Sequence, residues 1–210
     1  VIFAGEVDIR VIEEFRKQSI PVVLVNNYLD MDGLVCISAD HYGGAVQATE
    51  YLCKLGHCKI GLLSGRFSPQ VSEARIEGFV KTLAKYDIPV DDRFIADIEP
   101  ALEDGEEIMT RMLREVDRPT AFFCTNDTIA AGAMKAVTRA GLRVPEDIAI
   151  IGFDDSYISR VVEPELTTVR IDAAKMGCLA MQTLFDLIAG MPVEKAHIQI
   201  PTELIVRGTA

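Results

Sequence analysis

"PTAFFCTNDTIAAGAMKAVTRAGLRVPEDIAIIGFDD", residues 119–155, reads as an apolar strand, an amphipathic helix and a second apolar strand. The runs at 120–125 and 148–153 are continuously apolar between their ends instead of alternating, the pattern of strands covered on both faces. Between them, 127–140 keeps a helical spacing and stops at Gly141, where a left-handed conformation costs glycine little. Strand–helix–strand alternation with continuously apolar strands predicts a parallel sheet with helices on both sides.

The alternation extends in both directions. Strands are expected at 1–4, 21–25, 34–38, 59–64, 94–97, 198–200 and 203–206. Helices are expected over 8–18, 43–55, 72–86, 104–115 and 176–189, the last stopped by Gly190 and Pro192. The fold class is therefore α/β. In such sheets ligands bind at the carboxyl ends of the strands, at a topological switch point. Those ends are where this sequence turns polar: Asn26-Asn27, Asp40, Asn126-Asp127 and Asp154-Asp155. One polar strand end is ordinary turn chemistry, but four together suggest a lined crevice.

With 210 residues, 49% of them hydrophobic, the chain can bury a sizeable core as one large domain or two small lobes. Its formal net charge of −11 repels phosphate backbones, which argues against a nucleic-acid-binding surface on these residues. The five cysteines are scattered, without a C-x-x-C pair, and read as reduced thiols of a cytoplasmic protein. No apolar run is long enough for a membrane span. Phosphate-binding loops, dinucleotide fingerprints and nucleophile elbows are all missing, so the sequence does not point to an enzyme and implies no cofactor or metal.

Five blocks carry a resemblance: "YLCKLGHCKIGLLSG" (51–65), "EARIEGF" (73–79), the stretch 119–155, "PELTTVRID" (164–172) and "LIVRGTA" (204–210). In this order and spacing the chain resembles the lactose-repressor/galactose-repressor family of bacterial transcriptional regulators, in the effector-binding and dimerisation core related to periplasmic binding proteins. The resemblance implies two flavodoxin-like lobes with parallel sheets. The N-terminal lobe would hold 1–41 and 171–202, and the C-terminal lobe 42–170 and 203–210, with an effector cleft between them. The family's helix-turn-helix and its first two strand–helix units have no counterpart in these residues, so the N-terminal lobe is expected to be partial. The segment after Asp155 would lead to Leu166-Thr167-Thr168 and the crossing back to the first lobe.

The resemblance also implies partners: a sugar-like small-molecule effector, a second copy of the chain in a homodimer, and operator DNA only through the helix-turn-helix. The alternative it leaves is a periplasmic sugar-binding protein of a transport system. Arg75 matches the family's ligand-clamping arginine, and a planar fork of donors suits two neighbouring hydroxyls or a carboxylate. Asn126 can donate and accept toward a sugar hydroxyl, against the plainer reading of a helix cap. Asp154 and Asp155, as neighbours on an extended chain, would point opposite ways, so a proton-sharing dyad is not expected. The family pattern selects Asp154 as the ligand acceptor and leaves Asp155 to brace the loop. Asp40 and Asn26 match further ligand contacts of the family. Arg66 reads as a solvated loop arginine. The aromatic platform that many members carry after the strand at 94–97 is replaced by "IEPAL", 98–102.

Overall fold

The computed structural model describes the chain except residues 6, 28, 30, 32 and 192–195. The expected helix stop at Pro192 lies outside the described residues. Two compact units emerge, Val1–Asp40 with Asp172–Pro201 and His41–Ile171 with Thr202–Ala210.

The first unit carries a four-stranded parallel sheet. Strand β1 (Ile2–Ala4) is followed by helix α1 (Ile9–Lys17), β2 (Val23–Val25) and β3 (Val35–Ala39), and α6 and β9 return to it late in the chain. The strand order is β1-β2-β3-β9, with α6 spanning Ala173–Ile188 and β9 spanning His197–Ile200. Asp8 caps α1 by accepting the Arg10 N–H at 2.9 Å, and Asp172 caps α6 through the Lys175 N–H at 2.8 Å. Both use a short carboxylate to satisfy donors the first helical turn cannot. Ile12, Val22, Leu24, Leu34 and Cys36 form its core.

The second unit contains α2 (His41–Lys54), β4 (Ile60–Gly65), α3 (Pro69–Lys85), β5 (Ile95–Ile98), α4 (Leu102–Met112) and β6 (Ala121–Cys124). It continues with α5 (Asp127–Arg139), β7 (Ala149–Asp154), β8 (Thr167–Arg170) and β10 (Glu203–Ile205). The sheet order is β10-β8-β7-β6-β4-β5. All pairs are parallel except β10 with β8, an antiparallel edge that the expectation of purely parallel sheets lacked. Strand β4 is the first of this sheet along the chain, and its successors β5 and β6 lie on opposite sides of it. That reversal is the switch point.

Alternation along the strands explains their unbroken hydrophobicity. Phe122, Leu63 and Ile150 enter the core beneath α4 and α5, while their neighbours Phe123, Leu62 and Ile151 enter the core beneath α2 and α3. All six are fully buried, each worth about 2 kcal/mol of transfer free energy before ordering costs. Strand β8 escaped sequence reading because its buried residues are threonines, whose hydroxyls are paired. The Thr167 hydroxyl accepts the Arg207 N–H at 2.9 Å, and Thr168 donates to Asp127 at 2.5 Å. Helix α3 begins three residues earlier than its expected start at 72, because Pro69 occupies the first turn, where a missing N–H has no cost.

Helices α4 and α5 cross at a glycine on each. A Cβ on Gly105 would lie 2.5 Å from the carbonyl oxygen of Ile129, and one on Gly132 would collide with the Leu102 carbonyl. This close approach fixes the start of α5 beside the switch point. Gly132→Ala is expected to destabilise the protein by about 2 kcal/mol or more through overpacking against backbone. In chemical denaturation the midpoint should fall while the slope is unchanged; a wild-type midpoint would show that the helices separate freely.

Candidate functional site

At the switch point Thr125 ties the ends of two strands together. Its N–H donates to the Leu63 carbonyl at 2.9 Å and its hydroxyl accepts the Gly65 N–H at 2.7 Å. The next residue, Asn126, is the cap of α5, its Oδ1 accepting the Ile129 N–H at 2.8 Å. The capping role, which the sequence ranked second, occupies that oxygen and leaves the amide Nδ2 to offer.

Arg75 reaches this end from α3 and is 3% exposed. Its Nη1 donates to the Thr125 carbonyl. Its Nε and Nη2 lie 3.3 and 3.1 Å from Nδ1 of His41, the first residue of α2. Nη2 also meets Oδ1 of Asp154 at 3.3 Å. The guanidinium carbon sits 3.9 Å from the Phe153 ring centre and 5.0 Å from that of Phe67. A buried cation is tolerable only when hydrogen-bonded and counter-charged, and aromatic faces add to its stabilisation.

The two aspartates do part ways, for a different reason from the one expected. The backbone is not extended there: φ is +108° at Asp154 and +51° at Asp155. The Asp155 carboxylate, 2% exposed, accepts from Arg207 at 2.5 Å, Arg170 at 2.7 Å and the Ser159 hydroxyl at 3.0 Å, with Arg160 at 3.4 Å. Burial alone would raise its pKa, but the hydrogen bonds from Arg207, Arg170 and Ser159 outweigh it and bring it to about 2. Asp154 keeps 36% of its side chain exposed, and Arg75 is its salt-bridge partner. Burial pushes its pKa up to about 6, opposed by Arg75 and assisted by the Asp127 carboxylate.

Asp127, the first residue of α5, is 1% exposed and accepts the Ser156 N–H at 2.6 Å as well as the Thr168 hydroxyl. Burial raises its pKa. It therefore holds the loop that follows β7.

The structure thus brings Arg75 and Asp154 into contact, with Asn126 directly after the residue that binds Arg75. Asn26 and Asp40 lie at strand ends of the first unit. Asn26, at φ +50°, accepts the Ala39 N–H at 3.2 Å with its side chain. The Asp40 N–H donates to the Ile200 carbonyl at 2.8 Å. Arg66 pairs with Asp97 at 3.2 Å and Glu99 at 3.1 Å. Sequence reasoning missed His41, Thr125, Phe67 and Phe153. Each follows or ends an apolar strand, and a search of every such junction for rings and hydroxyls as well as carboxylates would have found them. The described residues include no cluster of three potential metal ligands, and none of their helices is long and apolar enough to cross a membrane.

The acid limb of stability should report the Asp155 arrangement. A carboxylate with a lowered pKa stabilises the fold above its unfolded value near 4, and that contribution is lost as pH falls toward 2. Asp155→Asn is expected to be less stable at pH 7 and to flatten the stability profile between pH 4 and 2, read by denaturation at fixed pH; an unaltered slope would place the titration elsewhere.

Residues 49–210 match the model of the periplasmic binding protein-like domain. The chain is 34% identical over 203 residues to the "Probable HTH-type transcriptional repressor ExuR" of Bacillus subtilis, covering 97% of this chain and 61% of that protein. It therefore spans about three-fifths of that relative's length. Among solved structures, a regulatory protein of the LacI family from Chloroflexus aggregans superposes with a TM-score of 0.91 at 30% identity, covering 99% of this chain and 75% of the other. A LacI family transcriptional regulator from Enterococcus faecium with bound ribose gives 0.89 at 26% identity, covering 99% and 78%. With a family model over most of its length and a relative of 30% identity covered to three-quarters, this chain belongs to the LacI family and matches its periplasmic binding protein-like domain over residues 49–210.

Proposed function

We propose that these residues bind a small-molecule effector, a sugar or sugar derivative, and that binding controls operator recognition by a helix-turn-helix elsewhere in the whole protein. The observation that carries this reading is Asp154: a partly exposed carboxylate on a strained backbone, beside a buried arginine, at the carboxyl end of the strand next to β6. Backbone at φ +108° costs a non-glycine residue about 1–3 kcal/mol, and such strain concentrates at binding and active sites. An ionised Asp154 accepts hydroxyl donors, and Asn126 Nδ2 donates to their oxygens. Asn26 and Asp40 are the proposed contacts of the first unit. The ribose-bound relative from Enterococcus faecium supports a polyhydroxylated ligand, and the repressor relative supports transcription control over solute transport or catalysis.

As the mechanism, we propose that the effector binds two states of a homodimer with unequal affinity. Its binding free energy then shifts the balance between them, and DNA affinity shifts reciprocally. The effector can be found by a thermal-shift screen of sugars, sugar phosphates and nucleobases, since a ligand specific to the native state raises its stability.

Asp154→Asn tests the site, because it keeps the shape and removes the charge. Arg75→Ala is less clean, as it would strip partners from buried His41 and Thr125. A raised carboxyl pKa favours folding below the unfolded value near 4 and loses that advantage as pH rises through 6. Asp154→Asn should therefore melt higher than wild type at pH 7.5, with the difference vanishing near pH 4. Effector affinity of the wild type should climb between pH 5 and 7 as the carboxylate forms, while the variant binds at least tenfold more weakly without that slope. Unchanged affinity in calorimetric titration would move the site elsewhere.

A further inference from the structure

We propose that His41 is a specificity-determining residue of this site: its Nδ1 positions Arg75, and its Nε2–H is a fixed donor for an acceptor atom of the effector. The proposal rests on the effector-binding reading above. It starts from the tautomer. Two donors of Arg75 converge on Nδ1, at 3.3 and 3.1 Å, which a nitrogen can receive only through its lone pair. The ring proton is thereby confined to Nε2. Burial, and then the neighbouring Arg75 charge, hold the imidazole pKa down to about 3, so the ring stays uncharged at physiological pH.

Nε2 is buried and has no hydrogen-bond partner among the described residues. An unsatisfied buried donor costs about 1–3 kcal/mol, and such groups are rare enough to require a reason. Among the described residues, three of the four buried side-chain atoms without a partner belong to His41, Ser64 and Ser68. Ser64 lies next to the last residue of β4, and Ser68 precedes the helix that carries Arg75. Two of these unspent groups thus flank the carboxyl end of β4, and the third belongs to the ring that receives Arg75. The His41 ring also lies 6.0 Å from that of Phe153, which carries the Arg75 guanidinium on its face. Histidine here does what a cation or carboxylate could not. It supplies an acceptor to the arginine and a donor to the ligand with no further buried charge.

The chemical consequence concerns which ligand atom fits. An N–H that cannot accept selects a lone pair: a hydroxyl or ring oxygen, a carbonyl, or an unprotonated ring nitrogen. A ligand presenting a C–H at that point leaves the His41 donor unpaired, one presenting an N–H leaves two donors unpaired, and either is rejected.

Isosteric halves of the ring separate the two roles. His41→Asn keeps an acceptor near the Nδ1 position, and His41→Gln keeps a donor near Nε2. The 210-residue chain and both variants are titrated calorimetrically with D-ribose, and melting temperatures are measured alongside. His41→Asn should melt close to wild type yet bind ribose at least tenfold more weakly, while His41→Gln should melt lower and recover part of the affinity. Wild-type affinity in His41→Asn would overturn the donor role, because a residue that merely packs beside Arg75 would not separate binding from stability. The 15N spectrum of the histidine rings in wild-type protein tests the same assignment without a variant. A neutral ring protonated on Nε2, whose N–H resonance moves on saturation with ribose, is expected. A proton on Nδ1, or a charged ring at pH 7, would overturn the proposal even if both variants failed to fold. Ribose that leaves the wild-type melting temperature unmoved would defeat the choice of a pentose in the effector reading, and the ring spectrum would still decide the His41 tautomer.

Discussion

A guanidinium sealed from water must receive its acceptors and its counter-charge from the protein, and the second unit is arranged around that requirement. Arg75 takes one acceptor from the Thr125 carbonyl, one from a neutral histidine ring and a partial counter-charge from Asp154. Those groups come from the residue that follows β6, from α2 and from β7, and Arg75 itself from α3. Four elements are thus held to one another at the carboxyl end of the sheet by a single side chain. The hydrocarbon cores beneath the two helical layers set the thickness of the sheet, but they do not choose which residues meet at its end. The polar set around Arg75 does.

The neighbouring aspartates show how a backbone constraint divides identical chemistry. The turn through positive φ at both residues sends one carboxylate into a ring of arginines and leaves the other partly solvated. Their surroundings alone lower the pKa of one carboxyl and raise that of the other. The cost of the unusual backbone is met by the braces on Asp155 and by Asp127, which grips the chain one residue further on.

Much of the fold was legible in the sequence because parallel strands covered on both sides carry an unbroken apolar signal, and glycine marks a helix end such as Gly141, at φ +75°. Strand β8 was not legible, since threonine hydroxyls satisfied by Asp127 and Arg207 look polar in a list of residues. Arg75 and Asp154 were legible as candidates through resemblance, and their contact became visible only in three dimensions. Asn126 was legible in two ways, and local geometry gives the cap its oxygen. His41 was illegible because a histidine following a strand gives no hint of its tautomer, which depends on an arginine 34 positions away.

The brace on Asp155 has a consequence for the order in which the molecule can be completed during synthesis. Its shortest contact, Arg207, lies 52 positions downstream, and Thr209 binds the Thr167 N–H and the Ile150 carbonyl at 2.9 and 2.6 Å. All of residues 172–201, which belong to the other unit, leave the ribosome before these partners do. The β10 edge of the second sheet and the Arg207 contact to Asp155 therefore depend on residues made after all of those. A brace on one strand end thus ties residues far apart in the order of synthesis, with a stretch of the other unit between them.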